Sequence, residues 1–141
     1  MKIAIIGAGI GGLTLALKLH QQGIDCEVFE SVTALRPLGV GINTLPHAVR
    51  ELDGLGLLPA LRAIAIETAS LSYYNKLGQR IWSEPRGVAA GYPVPQFSVH
   101  RGELQMLLYR VACERLGAAR IHTDCAFESL QQDAQGVTAR L

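Results

Sequence analysis

The chain has 141 residues, of which 49% are hydrophobic and 18% charged, and its formal net charge is +1. This composition fits a globular domain with a sizeable core, and a near-neutral charge without a basic cluster argues against nucleic acid or an anionic membrane as a partner. The three cysteines have no metal-ligand spacing. Because there is also no signal-peptide pattern and no membrane-length apolar run, we expect reduced thiols and a cytoplasmic location.

The first thirty residues carry the strongest pattern of the chain. A short β-branched strand, Lys2–Ile6, leads into the glycine-rich turn Gly7–Gly12, and a helical pattern then continues to Gln22 before Gly23 ends it. Cys26–Glu30 follows as a second strand that ends in an acid. This order and spacing are typical of a dinucleotide-binding βαβ unit, so the sequence predicts a Rossmann-like parallel sheet.

Each glycine of the turn has a physical role in such a unit. Gly7 permits the tight turn out of the strand, Gly9 lets a pyrophosphate approach the backbone, and Gly12 lets the helix pack closely on the strand. The amides of Ile10, Gly11 and Gly12 open the helix at its positive end, where we expect the phosphates.

Glu30 lies at the carboxyl end of the second strand. A carboxylate there can accept a hydrogen bond from ribose hydroxyls, and it would repel a 2′-phosphate. The residues therefore predict a site for the adenosine half of FAD or NAD rather than NADP. The alternative is a glycine turn in an unrelated βα unit.

Residues 34–43, after the second strand, are predicted to form an extended loop instead of another crossover helix. Pro37 holds Arg36 out of the helical region, and Gly39 and Gly41 allow unusual backbone angles or the close approach of a ligand. Either this loop passes along a cofactor, with Arg36 near its ribose or phosphate, or it is a surface loop with a solvated arginine. The residue types leave both interpretations open.

The rest of the chain alternates short helices and strands. Thr44 is predicted to cap the first of these helices, and the last short strand before the terminal hairpin is the natural third parallel strand. The strands of the central hairpin flank a four-residue turn. The predicted elements are helices over 45–52, 57–64 and 102–116, strands over 71–74, 79–82, 96–101 and 119–122, and a terminal hairpin of 125–130 and 136–141.

Two features of this region bear on function. Tyr73, Trp82 and Tyr92 either line an aromatic substrate pocket or pack on a sheet face, and ordinary packing is favoured. Arg101 stands at a junction from strand to helix, where a cation can reach a bound phosphate, or else it is a solvated terminal arginine.

Four features of the sequence together resemble the N-terminal part of the single-component FAD-dependent aromatic hydroxylases, the para-hydroxybenzoate hydroxylase-like monooxygenases. These features are the stretches GAGIGG, RPLGVGIN and VHRGEL and the acid Glu30. RPLGVGIN, WSEPRG and HRGELQM are most similar to the phenazine-modifying members. The resemblance covers essentially the whole chain. It implies an α/β fold in which residues 1–141 are the N-terminal portion of an FAD/NAD(P)-binding domain, with a small antiparallel hairpin from the substrate domain inserted at 67–95.

The resemblance also implies roles for particular residues. Arg36 and the backbone at Val40 and Gly41 would run along the ribitol and the flavin. Arg101 would reach the flavin end or the pyrophosphate, and the backbone of Phe127, in a strand after the third parallel strand, would edge the adenine.

The implied activity is hydroxylation of a small aromatic, phenazine-like substrate. In the family, NADH or NADPH reduces the bound FAD, and dioxygen then gives a flavin hydroperoxide that transfers a hydroxyl group to the ring. Because this redox chemistry belongs to the cofactor, no catalytic residue and no metal ligand are assigned in the chain. The oligomeric state is left open.

Two later family motifs, a GADG-type stretch and a GD-type stretch, are absent from the sequence. We therefore expect a fold that is incomplete at the C-terminus, with weak FAD affinity and no turnover by this chain alone. The alternatives are an NAD-linked reductase or dehydrogenase, and a non-catalytic dinucleotide-binding fragment whose unpaired sheet edge invites self-association.

Overall fold

The computed structural model describes residues 3–141, so Lys2, which the sequence assigns to the first strand, lies outside the described residues. The chain forms two compact units: the first unit contains the residues up to Pro37 together with Gln105–Leu141, and the second unit is Leu38–Leu104. The helices are α1 (Ile10–Gln21), α2 (Pro46–Gly54), α3 (Leu58–Ile64) and α4 (Arg101–Leu116). The strands are β1 (Ile3–Ile6), β2 (Cys26–Phe29), β3 (Gly41–Thr44), β4 (Ala65–Thr68), β5 (Ser70–Tyr74), β6 (Arg80–Pro85), β7 (Gln96–His100), β8 (Ile121–His122), β9 (Ser129–Gln132) and β10 (Val137–Arg140).

A three-stranded parallel sheet in the order β1–β2–β8 organises the first unit. Val28 of β2 lies opposite Ile5 of β1 on one side and Ile121 of β8 on the other. Helix α1 packs against β1 and β2. The apolar side chains that α1 buries are Leu13, Ala16 and Leu17. The structure thus confirms the predicted βαβ unit and its third parallel strand.

The all-apolar sequence of β1 predicts a central strand that is covered on both faces, and the structure differs from this prediction. Within residues 3–141 it pairs with β2 alone, and Ile6 is 46% exposed whereas Ile5 is 6% exposed. An all-apolar strand does not by itself show how many of its faces are covered.

An antiparallel sheet in the order β3–β7–β4 organises the second unit. Gly41 lies opposite His100, so the prediction of a loop through Asn43 is wrong from Gly41 onward. Ala65–Thr68 also forms a strand that the sequence pattern did not indicate. Strands β3 and β4 are each only four residues long. They form because β7 offers each of them a backbone partner, not because their residues have a strong strand propensity.

Thr44 does not cap helix α2. The N-cap of α2 is Leu45, which makes no side-chain cap. The Thr44 hydroxyl instead donates to the carbonyl oxygen of Phe97 at 3.2 Å. Thr44 is the last residue of β3 and lies opposite Phe97, so its hydroxyl is used in the sheet before the helix begins.

Two exposed hairpins complete the chain, β5–β6 in the second unit and β9–β10 in the first. Both were predicted, with bounds that differ by a few residues. The Asn75 side chain accepts hydrogen bonds from the amides of Leu77 and Gln79 at 2.9 and 3.0 Å, which closes the β5–β6 turn. Tyr73 lies opposite Trp82, with ring centroids 5.8 Å apart.

No helix within residues 3–141 is long and apolar enough to cross a membrane. Over the same residues, the structure contains no group of three or more His, Cys, Asp or Glu side chains that could hold a metal ion.

Gly12 lets α1 approach the end of β1, and this gives a first prediction. A Cβ on Gly12 would overlap the carbonyl oxygen of Gly7 and lie 3.3 Å from Ile5 Cγ2, whereas a Cβ on Gly11 would meet no heavy atom within 4 Å. We expect Gly12→Ala to lower the free energy of unfolding by about 1–3 kcal/mol, as overpacking does. Gly11→Ala, the matched control, should be neutral or stabilising because alanine favours the helix. Urea unfolding of the three proteins measures both effects, and equal values for the two variants would refute the packing argument.

Candidate functional site

The glycine turn between β1 and α1 is tied to the end of β2. Gly7 has a φ of +97°, a left-handed conformation that side chains rarely adopt. Its amide donates to the carbonyl oxygen of Phe29 at 2.7 Å. The chain therefore leaves β1 in a tight turn, as the sequence predicts for this position.

Helix α1 begins with an uncapped and accessible N-terminus. Its N-cap is Gly9, which has no side chain to cap the first amides. Side-chain atoms added at Gly9 or Gly11 would meet no heavy atom within 4 Å, so open space lies over the first turn. The amides of Ile10, Gly11 and Gly12 belong to this turn, and a helix N-terminus with free space above it favours an anion.

The Glu30 carboxylate is bonded directly to the glycine turn. Oε2 accepts a hydrogen bond from the amide of Ala8 at 2.7 Å, and Oε1 accepts from the amide of Val32 and the hydroxyl of Ser31, each at 3.1 Å. The backbone amide of Ser31 also hydrogen-bonds to this carboxylate, so the donors come from the glycine turn and from the residues that follow β2. Glu30 therefore holds the turn in place, and its binding of a ribose stays a prediction.

These hydrogen bonds also keep Glu30 charged. Partial burial raises the pKa of its carboxyl group, but the hydrogen bonds from the amides of Val32 and Ala8, together with those from Ser31, outweigh burial and lower the pKa below the usual glutamate value. A fully ionised acid at this position is a strong acceptor for a hydroxyl group and repels a phosphate.

Gln105 of helix α4 is a site residue that the sequence pattern did not indicate. Its Nε2 donates to the carbonyl oxygen of Ala8 at 2.9 Å, so Ala8 is held at both its amide and its carbonyl. The only sequence signal was an amide side chain between the buried residues Leu104 and Leu107. Such a residue is equally common on a solvated helix face, and the sequence alone could not separate the two.

In the second unit, three predicted site residues lie close together. The amide of Arg101 donates to the carbonyl oxygen of Val40 at 3.0 Å, and Gly41 lies opposite His100 in the sheet. A Cβ on Gly39, whose φ is +133°, would lie 2.7 Å from Arg101 Nε. The exposed Arg101 side chain therefore lies along the backbone of the glycine-rich loop.

Two further predicted residues, Arg36 and Phe127, are exposed in the first unit. Phe127 was expected in a strand, but it lies in an irregular segment between β8 and β9 that follows Asp124, a non-glycine residue with a φ of 60°. The amide of Cys125 in this segment donates to the carbonyl oxygen of Glu30 at 2.9 Å, which brings the segment beside the acid. Contacts of Arg36, Phe127 and Arg101 with a cofactor stay predictions.

Comparisons with known proteins agree with the cofactor that these residues favour. The family model of the FAD binding domain matches residues 1–141. The chain is 50% identical to the phenazine 1,6-dicarboxylic acid hydroxylase of Lysobacter antibioticus over 136 residues, covering 96% of this chain and 33% of that protein. It is 40% identical to the 3-amino-4-hydroxybenzoate 2-monooxygenase of Streptomyces cremeus over 115 residues, covering 77% and 28%.

A solved structure gives the same result at the level of the fold. The structure of Klebsiella pneumoniae HpxO complexed with FAD and uric acid superposes with a TM-score of 0.80 at 28% identity, covering 99% of this chain and 34% of that one. The chain thus spans about a third of the length of the relatives that it matches, at 33%, 28% and 34%.

The lowered pKa of Glu30 predicts a pH-dependent contribution to stability. Because the folded state holds the carboxylate in its charged form, this contribution is complete above the usual glutamate pKa of 4.5 and is lost as the pH falls through the lower pKa of the folded state. We expect Glu30→Gln to reduce the free energy of unfolding at pH 7 by about 1 kcal/mol, since charged hydrogen bonds that are partly exposed are worth that much. The difference should shrink steadily below pH 4.5.

Urea unfolding of both proteins from pH 7 to pH 3 measures this difference. Glu114→Gln, at an exposed position on α4, is the matched control and should show little change at any pH. A Glu30→Gln deficit that stays constant with pH would contradict the electrostatic explanation.

Proposed function

We propose that this chain supplies the adenosine-binding part of a flavin monooxygenase. The premise is that the chain belongs to the FAD-binding domain family of the FAD-dependent aromatic hydroxylases. The relatives that it matches are flavin monooxygenases, and the cofactor of the family is FAD. One observation carries the proposal for this chain: the open N-terminus of α1 lies next to an ionised acid that is hydrogen-bonded to the glycine turn.

The residues of the first unit would hold FAD as follows. The pyrophosphate would lie over the amides of Ile10, Gly11 and Gly12, where it neutralises the positive end of α1. Glu30 would accept a hydrogen bond from the adenosine ribose. Close to that acid, the backbone of Phe127 would edge the adenine, and Arg36 would lie along the cofactor.

In the second unit, we assign the backbone at Val40 and Gly41, together with Arg101, to the flavin half of the cofactor. Two observations support this assignment: the loop is glycine-rich where a planar ring needs close approach, and the Arg101 cation lies directly along it. Residues 67–95, which include the β5–β6 hairpin, would begin the substrate domain.

When bound, FAD would supply the redox chemistry of a monooxygenation, in which NADH or NADPH provides two electrons, one atom of dioxygen enters an aromatic ring and the other leaves as water. The chain's own residues bind and orient the cofactor. We propose a carboxylated phenazine as the substrate. The support is the 50% identity to a phenazine 1,6-dicarboxylic acid hydroxylase, which extends over 96% of this chain.

Selectivity against a 2′-phosphate tests the role of Glu30. With FAD fluorescence as the reporter, ADP-ribose should displace FAD from the chain with about tenfold higher affinity than 2′-phospho-ADP-ribose, because the ionised acid accepts one ribose and repels the other. Glu30→Ala should bring the ratio of the two affinities close to one.

The ratio does not depend on the fraction of protein that is folded, so a loss of stability in the variant cannot imitate this result. Glu114→Ala on α4 is the control and should leave the ratio unchanged. A ratio that survives in Glu30→Ala would show that the acid does not contact the ribose.

The substrate class has a separate test. The assay uses the product of the whole open reading frame, supplied with FAD. We expect phenazine 1,6-dicarboxylic acid to stimulate its oxidation of NADH or NADPH more strongly than 3-amino-4-hydroxybenzoate or urate does. Mass spectrometry of the product should show one added oxygen atom, labelled when ¹⁸O₂ is used. If the benzoate or urate gives the greater stimulation and the labelled product, the phenazine proposal is wrong while the FAD site stands.

A further inference from the structure

Ala8, in the centre of the glycine turn, is held by Gln105, a residue of helix α4 that is distant in the sequence. Gln105 Nε2 donates to the Ala8 carbonyl oxygen at 2.9 Å, across a sequence separation of 97 residues. Ala8 itself is fully buried. A buried carbonyl group needs a hydrogen-bond partner, and within this turn the side chain of Gln105 provides one.

The geometry of the peptide bond extends this contact to the next residue. In a trans peptide the C=O and N–H groups point in opposite directions, because the unit is planar. The oxygen of Ala8 and the amide hydrogen of Gly9 belong to the same peptide unit. Fixing the oxygen therefore also fixes the direction of the Gly9 N–H, at the N-cap position of helix α1.

We propose that Gln105 is a positioning residue for the pyrophosphate: it orients the Ala8–Gly9 peptide so that the Gly9 amide and the first turn of α1 face the phosphates. This inference rests on the proposed FAD site. It separates two roles in the turn, since Glu30 would contact the ribose directly whereas Gln105 acts only through the backbone that meets the phosphates.

The chemistry of the side chain fits this role. A neutral amide donates to a carbonyl oxygen and adds no charge beside the phosphates. A glutamate of the same shape would present an acceptor to the Ala8 oxygen and a negative charge close to the ligand. A methionine would keep the unbranched length of the side chain but donate nothing.

A series of ligands tests the proposal. The dissociation constants of adenosine and ADP are measured on the unchanged chain, on Gln105→Met and on Gln105→Glu, by titrating ¹H–¹⁵N spectra. We expect Gln105→Met to weaken the binding of ADP by about tenfold, the value of one well-placed hydrogen bond, and to change the binding of adenosine less than twofold. Gln105→Glu should lose more ADP affinity than Gln105→Met. The Gly9 amide resonance should shift in both variants without ligand.

Gln132→Leu, at an exposed position on β9, is the control and should match the unchanged chain. Equal losses for adenosine and ADP in the Gln105 variants would overturn the proposal in favour of a general structural role. Retained ADP affinity in those variants would overturn it while leaving the FAD site intact. If the unchanged chain itself binds ADP no better than adenosine, both the proposed pyrophosphate site and this inference fail. Should Gln105→Met not fold, Gln105→Glu and the Gly9 resonance decide the question.

Discussion

The hydrogen bond from the Ala8 amide to Glu30 organises the whole glycine turn. It fixes the peptide unit between Gly7 and Ala8, and because that unit is planar, the Gly7 carbonyl oxygen is directed the opposite way. On that opposite side lies Gly12, where an added Cβ would overlap the same oxygen. The requirement for an acid at the end of β2 and the requirement for a glycine in α1 are therefore two consequences of one peptide orientation.

This arrangement gives the acid a structural role that does not depend on the sugar recognition proposed for it. A carboxylate that only met a ribose would be costly to keep charged in a partly buried site. Here the amides of Ala8 and Val32 lower the pKa of Glu30 in the free protein, so the acceptor is charged and oriented before any ligand arrives. Preorganisation of this kind reduces the ordering cost of binding. The turn and the acid are thus best regarded as one unit, shaped by the protein in advance.

The sequence predicted the first unit well and the second unit less well, for a physical reason. The residue patterns of β1, β2 and α1 are each complete within the element itself. The spacing of the glycines shows where the first strand ends and the helix begins. Strand β3 is different, because Gly41 pairs with His100 and its stability comes from a partner far along the chain. Local patterns contain no information about such pairing. The same limit explains Thr44, whose hydroxyl was predicted as a helix cap but bonds to Phe97 on the neighbouring strand.

The site residues show where residue type alone stops being informative. At Gly39 the sequence allowed either an unusual backbone angle or the close approach of a ligand. The structure shows the unusual backbone angle, a φ of +133°, and adds a further reason, because an added Cβ would lie 2.7 Å from Arg101 Nε. The backbone angle therefore favours glycine at this position even without a cofactor, and the neighbouring Arg101 side chain adds to that preference. A larger residue at this position would strain the backbone and displace the Arg101 guanidinium group, so the position of this cation depends on Gly39.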